Sequence, residues 1–399
     1  MLSPSEVSSY ADRHRNEAVQ FLQECLQAPS VTGSEMPMAQ VVSQWIKKAG
    51  LKPQCYMKAD GRPNILAEWK GSKAGKRFVF NGHMDVFPPV KGDSGMYGPW
   101  SGKIVDGYIY GRGSTDMKSG LCASIMAVKF LKDMGYDPVG SILLTCVCDE
   151  ENCGNFGTKY LISEGLIQGD FGVCMEPTYH GVVIEHSGNL RVRVTYHSCS
   201  GHTSRPHPSA DALTKCVDAI EKLRALNEKI KWYSAEIDGW SKLAVTMVES
   251  GLAPNMYASE GTFYIDYRLL PGDDIDEKEQ QLRNTLDELR EEKGNLDYSY
   301  KFEVLGRVPT LEIDPNAEIV EIARRAHEDI TGELAPLHKR TGFSDAPHIV
   351  RATGMAMPNY GPGNEWEDIC QPNEKVSLDD YCKFIKIYMM MVLRALGQS

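Results

Sequence analysis

The chain has 399 residues, 42% hydrophobic and 24% charged, the balance of an ordinary soluble globular protein of roughly two to three domains. Its net charge of −11 argues against nucleic acid as a partner, since phosphate binding needs a basic face. No run of about 18 apolar residues is present to span a membrane, and the polar opening MLSPSEVSSYADRHRNEAVQ lacks the apolar core of a secretory signal.

In chain order, a helix is predicted from Ser5 to Leu26, ending near Pro29, and a second from Met36 to Ala49, stopped by Gly50. Three short apolar strands follow, each ending in charge: RFVF runs into NGHMD, SILLTCVC into DEE, and DFGVCM into EPT. Between the first two, Leu121, Ile125, Val128 and Leu131 stand at helical spacing, and Gly135 ends the helix. Alternating strands and helices predict an α/β fold with a doubly wound, mostly parallel sheet. Ligands of such sheets bind outside the carboxyl ends of the strands. Those ends carry His83 and Asp85, then Glu150 and Glu151, then Glu176.

From Gly188 the texture changes. LRVRVTYHSC, KLAVTMVES and GTFYIDYRLL alternate with period two, and DALTKCVDAIEKLRALN and DEKEQQLRNTLDELREEK read as helices. That order predicts an inserted α+β (ferredoxin-like) module with an antiparallel sheet. The expected organisation is a catalytic domain over 1–182, the inserted dimerisation or lid module over 183–302, and the rest of the catalytic domain over 303–399, with a helix at Asn316 to Ile330.

The chemistry gathers at the strand ends. His-x-Asp in GHMD reads either as a polar turn or as a metal ligand, and Asp116 in GRGSTDMKSG as a helix cap or a ligand. Glu150 and Glu151 are harder to dismiss, because adjacent like charges are costly unless solvated or bound to a cation. Neighbours on an extended strand face opposite ways, so both stay near one rim only if the backbone turns there. With Glu176, one imidazole and several carboxylates suit a hard-to-borderline divalent ion. The 11 cysteines are an odd number without a C-x-x-C pair, which favours reduced thiols in a cytoplasm. Cys146, Cys148 and Cys153 lack the second pair of a zinc knuckle and read as packing. There is no G-x-S-x-G elbow, no G-x-G-x-x-G and no P-loop.

NGHMDVFP, DGYIYGRGSTDMKSG, DEENCG, EPT, SGHTSRPHPSADAL, NYGPG and QPNE occur in the order seen in the metallopeptidase M20 family, which includes acetylornithine deacetylase, succinyl-diaminopimelate desuccinylase, aminoacylase and glutamate carboxypeptidase. The chain resembles that family over nearly its whole length. The resemblance implies that His83, Asp116 and Glu176 bind one metal, that Asp116 bridges to a second held also by Glu151, and that Asp85 orients His83. It implies Glu150 as general base, and His202 as a histidine that reaches the partner subunit's active site in a homodimer and stabilises an oxyanion. Asn255 and Arg268 match residues that bind the substrate's carboxylate, a task suited to the planar guanidinium. His207 reads as structural. The implied cofactor is zinc, one or two ions, with cobalt or manganese as alternatives.

The family places a histidine ligand directly before QPNE, and here that position is Cys370. The closest other histidine in sequence is His348, in SDAPHIV. Thiolate is a good zinc ligand, and Cys370 is taken as the ligand. Its negative charge makes the site less positive than a neutral imidazole would, so water there is acidified less and Glu150 has more to do. The expected function is a metal-dependent amidohydrolase cleaving an amide bond next to a free carboxylate, most simply in an N-acyl amino acid. A dipeptidase or carboxypeptidase of the same family and a non-catalytic binding descendant are the alternatives.

Overall fold

The computed structural model describes residues 2–93, 97–206, 209–294, 296–364, 369 and 371–397. Two residues singled out above, Cys370 and His207, lie outside the described residues. Contacts divide the chain into two compact units: Met1–Ile184 with Ile313–His338 and Ser344–Ser399, and Glu185–Glu312 with Lys339–Phe343.

The first unit opens on two helices rather than the single one expected, α1 (Pro4–Arg13) and α2 (Arg15–Gln27). His14 separates them: its φ of −106° and ψ of 14° leave the helical range. Its ring Nδ1 meets the Tyr10 carbonyl oxygen at 2.9 Å and its imidazole stacks on Tyr10. α2 stops where Ala28 turns extended before Pro29, as the residue preceding a proline prefers. After α3 (Met36–Lys48) come the strands β1 (Gln54–Met57), β2 (Pro63–Lys70) and β3 (Lys73–His83), then helix α4 (Ser119–Asp133) and strands β4 (Val139–Val147) and β5 (Phe171–Cys174).

These strands form one sheet in the order β1-β2-β4-β3-β5. β3 runs parallel to both β4 and β5, and parallel bridges to Ala356 and Asn359 continue the sheet past β5. The β1 edge is antiparallel. Phe78, Val79, Phe80, Ile142, Leu144 and Val173 are all buried, so the strands carry apolar residues in unbroken runs, as strands covered on both faces do. α4 shows more than the expected stripe, since Cys122, Met126 and Phe130 are buried as fully as Leu121 and Ile125. Each such side chain contributes roughly 1.5–3 kcal/mol. Gly120, in the first turn of α4, permits this packing: a Cβ there would lie 2.1 Å from the Met175 carbonyl oxygen.

The second unit runs β6 (Gly188–His197), α5 (Ala212–Ile230), β7 (Gly239–Ser250), β8 (Glu260–Leu269), α6 (Ile275–Glu292) and β9 (Tyr300–Val308). Its sheet is antiparallel in the order β7-β8-β6-β9, with Trp232–Ser234 paired outside the start of β7. Val192, Val194, Tyr196, Phe263 and Ile265 point to a core closed by Leu223 of α5 and Leu282 and Leu286 of α6. Asp211 and Asp274 cap the two helices through their carboxylates. The chain returns to the first unit for α7 (Glu318–Thr331), α8 (Ala346–Thr353) and α9 (Leu378–Leu396). Among the described residues no helix is long and apolar enough to cross a membrane.

Candidate metal centre

Parallel pairing brings the carboxyl ends of β3, β4 and β5 to one edge of the first unit's sheet. His83 is the last residue of β3, and its Nδ1 donates to the Asp85 carbonyl oxygen at 2.9 Å. In the neutral tautomer that a metal needs, Nε2 would carry its lone pair toward Asp116 Oδ1 at 3.2 Å, Glu176 Oε1 at 3.7 Å and Glu150 Oε2 at 3.8 Å. A metal-binding histidine usually fixes its tautomer in this way. The Asp85 carboxylate lies 3.7 Å from Nδ1 and is engaged elsewhere. It accepts from Thr32 Oγ1 at 2.9 Å and from the backbone N–H groups of Glu150 and Glu151 at 3.2 and 3.3 Å. Asp85 thus fastens the segment carrying both glutamates and orients His83 through its main chain.

The turn that keeps both glutamates at the rim begins at Asp149, whose φ of 71° is left-handed. Its carboxylate accepts from Arg62 at 2.6 Å and from the Phe156 N–H at 3.0 Å, and Arg62 also grips Glu35 at 3.0 Å. Asp116 lies beyond Gly113, where φ is 83° and a Cβ would stand 2.5 Å from Val86 Cγ1, so a larger residue is excluded. Lys118, fully buried, donates to the Cys25 and Ala28 carbonyl oxygens at 2.9 Å each and ties this loop to the end of α2. Burial lowers its ammonium to about 8.

Two overlapping groups result: His83, Glu150 and Glu176, and His83, Asp116 and Glu151, each with ligand atoms within 4.8 Å of one another. Burial alone would lower the His83 imidazolium, but Asp116, Glu150 and Glu176 hold it well above its ordinary value. Burial lifts the Glu150 and Glu151 carboxyls well above theirs, with Glu176 and Asp116 adding to it. Buried Asp345, which accepts from Thr158 Oγ1 at 2.6 Å, is raised to about 6 by its burial. Glu151 Oε1 is buried without a hydrogen-bond partner, a state that costs about 1–3 kcal/mol unless a cation or donor meets it. Several buried carboxylates around one imidazole lone pair fit a divalent cation, which neutralises them together. His348, in the first turn of α8, contributes to neither group.

One part of the site was not read from the sequence. Glu374, the last residue of QPNE, accepts from the backbone N–H groups of Gly113, Thr115 and Asp116 at 2.9–3.0 Å and from Arg112 Nη1 at 3.0 Å. Arg112 also donates to Asp93 at 2.6 Å and to the Gln371 carbonyl oxygen at 3.3 Å, while Asp93 accepts from the Asn373 N–H at 3.1 Å. All three charged side chains are buried. Glu374 thereby holds the backbone that aims Asp116. Glu374→Ala should weaken metal binding by about 10- to 100-fold, as loss of a residue supporting a ligand does, and a metal titration followed by calorimetry measures it. Binding unchanged from wild type would show that the Asp116 loop holds itself.

His202 and Asn255 lie together in the second unit, with Asn255 Nδ2 3.5 Å from His202 Nε2 and Ser204 Oγ 2.8 Å from His202 Nδ1. Both side chains are exposed. Arg268 is on β8, where its Nε donates to Asp266 at 2.8 Å. Cys146, Cys148 and Cys153 are buried, and burial pushes the Cys146 and Cys148 thiols up, as befits small packed hydrophobes.

A family model described as peptidase family M20/M25/M40 matches residues 79–394. Succinyl-diaminopimelate desuccinylase 1 of Ruegeria sp. (strain TM1040) is 27% identical over 346 residues, 84% of this chain and 87% of its own length. The succinyl-diaminopimelate desuccinylase of Cereibacter sphaeroides is 30% identical over 245 residues, 59% of this chain, and the match spans 63% of that relative's length. An M20 family metallo-carboxypeptidase from Sulfolobus solfataricus shares the fold, with a TM-score of 0.79 at 19% identity over 95% of this chain and 99% of that one. With most of its length matched by the family model and its acidic cluster carried on the motifs that first suggested the resemblance, the chain belongs to peptidase family M20/M25/M40.

Proposed function

We propose that this chain is a metal-dependent hydrolase cleaving an amide bond beside a free carboxylate, with N-acyl amino acids as its substrates. The observation that carries this reading is the cluster of buried His83, Glu150 and Glu176 with half-buried Asp116 and Glu151 at one sheet edge. On the family resemblance, His83, Asp116 and Glu176 would hold one divalent ion, and Asp116, Glu151 and Cys370 would hold a second, zinc being the ion suited to a thiolate. When bound, such ions supply Lewis acidity to the scissile carbonyl and to the attacking water. Glu150 takes the proton released as that water attacks and hands it to the leaving nitrogen. Asn255 and Arg268 receive the substrate's carboxylate, and His202 donates to the oxygen that gains charge. The name borne by the two relatives makes an N-succinyl amino acid the first acyl substrate to try. Capping the substrate's free carboxylate as a primary amide should lower kcat/KM by ~10² or more, since a site built to pair a charged group rejects an analogue lacking it. Equal turnover of the two would remove the carboxylate from the specificity.

We further infer a homodimer formed through the second unit. The support is the outer side of β7, which beyond Ser241 has no strand partner among the described residues. Met247 and Val248 on β7 and Leu252 beyond it are exposed, and an open apolar strand edge is a template for another chain. If His202 serves the partner's site, mixing His202→Ala with Glu150→Gln chains should restore activity, because one of the two sites in a mixed dimer is intact. Refolding the two inactive variants together and assaying hydrolysis tests it. Mixed dimers that form yet stay inactive would contradict delivery in trans.

A further inference from the structure

A second cleft lies within the first unit, with a volume of about 840 Å³, in the range that holds small molecules. None of the metal-cluster residues lines it. Its walls combine an apolar side, with Tyr179 and Leu334, and a cationic side, with Arg15, Lys383 and Lys386 against the carboxylates of Glu333 and Asp379. The lining sets these three cations against two carboxylates, and Asp12 and Asp380 pair with Lys386 and Lys383 from outside it.

The cations are loosely committed. Arg15 pairs with Asp379 at 2.7 Å and Lys386 with Asp12 at 2.6 Å, but Asp379 and Asp12 are 84% and 58% exposed. Ion pairs with such exposed partners contribute about 1 kcal/mol or less, so a ligand can take the cations over at little cost. Lys383 reaches Asp380 only at 3.5 Å. The aromatic wall, by contrast, is held firmly. Tyr179 and His180 both have positive φ, 45° and 67°, a conformation that non-glycine residues keep only where the surroundings enforce it. Here the enforcing contacts are Tyr179 N–H to the Gly363 carbonyl at 3.1 Å, Gly181 N–H to the Thr178 carbonyl at 3.1 Å, and His180 against Asp380 at 3.3 Å. The result is a Tyr179 that is 54% exposed, on a backbone held by these contacts, beside the cations. Strained backbone of this kind clusters at ligand clamps and switch segments.

We propose that this cleft binds a small organic oxyanion, its charged head among Arg15, Lys383 and Lys386 and its apolar body against Tyr179 and Leu334. The site is separate from the metal centre and stands or falls independently of the amide-hydrolysis reading. Phenyl phosphate is the probe, titrated calorimetrically into the full-length, metal-loaded enzyme, with inorganic phosphate and phenol as the two half-ligands. Saturable binding at one cleft site per chain is expected, weakened about tenfold or more in Arg15→Ala/Lys386→Ala, where charge-assisted hydrogen bonds are lost, and again in Tyr179→Ala. Glu150→Gln should leave it unchanged. The double variant should also keep wild-type hydrolysis and melting temperature, which separates lost binding from lost folding. Absence of saturable binding, or binding indifferent to all the cleft substitutions, would overturn the proposal. Binding abolished by Glu150→Gln would place the probe at the metal centre, and inorganic phosphate binding as tightly as phenyl phosphate would deny the apolar wall its part. Either result overturns it as well.

Discussion

Glu150→Gln should lower kcat by ~10² or more and leave the folded protein's metal content unchanged, the cost expected from removing a general base. Glutamine keeps the shape of a side chain that is only 7% exposed and leaves untouched the main-chain hydrogen bond to Asp85. It removes the group able to take a proton. The environment is arranged for that role: burial raises the Glu150 carboxyl well above its ordinary value, with Glu176 and Asp345 raising it further and His83 opposing. A buried carboxylate whose proton affinity is raised accepts a proton more readily than an exposed one. Glu150 Oε2 also lies 3.8 Å from His83 Nε2, close enough that a ligand role has to be separated from a base role. Metal content does this. Inductively coupled plasma mass spectrometry should find wild-type stoichiometry in the variant, with KM little changed. Lost metal would make Glu150 a ligand, and retained turnover would leave the proton transfer to another group.

Cys370→Ala should remove the second ion and leave the ion of His83 and Glu176 in place, with hydrolysis falling by ~10² or more as one of the two charges stabilising the reacting oxygens is lost. Cys370→His should restore two-ion binding, because it puts back the residue type that the family carries before QPNE. Although Cys370 lies outside the described residues, its neighbours in sequence are fastened to the centre. The Gln371 carbonyl meets Arg112, the Asn373 N–H meets Asp93, and Glu374 holds the Asp116 backbone. Thiol labelling supplies an independent check. A metal-held thiolate reacts slowly until the ion is removed and rapidly afterwards. Equal labelling rates with and without metal, together with two ions bound in Cys370→Ala, would return the cysteine to the role of a packing residue.

The sheet and its helices were legible because their patterns are strong. RFVF, SILLTCVC and DFGVCM are apolar runs ended by charge, and the strands stop where that charge begins, as at His83. The second unit's alternation at Gly188–His197 and Glu260–Leu269 marked its strands equally well. The single opening helix was not legible as two, because apolar periodicity continues across His14 while the backbone does not. At the site, the strand-end pattern pointed to His83, Asp85, Glu150, Glu151 and Glu176, and the ligand atoms of His83, Asp116, Glu150, Glu151 and Glu176 form two groups within 4.8 Å. What holds them there was hidden. Glu374 and Arg112 are 262 residues apart, and no local spacing announces that one carboxylate collects three backbone N–H groups of a distant loop. Nor did the pattern show that His83 leans on the Asp85 carbonyl while the carboxylate serves Glu150 and Glu151. Main-chain hydrogen bonds leave no trace in residue type, so a sequence names the charged partners and misses which atom is used.

Metal-dependent hydrolysis is tested most directly by chelating the purified enzyme, then returning zinc in steps and following release of the free amine from an N-succinyl amino acid. Activity should vanish on chelation and return in proportion to bound zinc, with the melting temperature rising alongside because an ion bound at a hundredfold excess over its Kd stabilises the fold by about 2.7 kcal/mol. An enzyme that hydrolyses the substrate at its full rate with no metal bound would contradict the reading of His83, Asp116, Glu151 and Glu176 as the ligands of a catalytic ion.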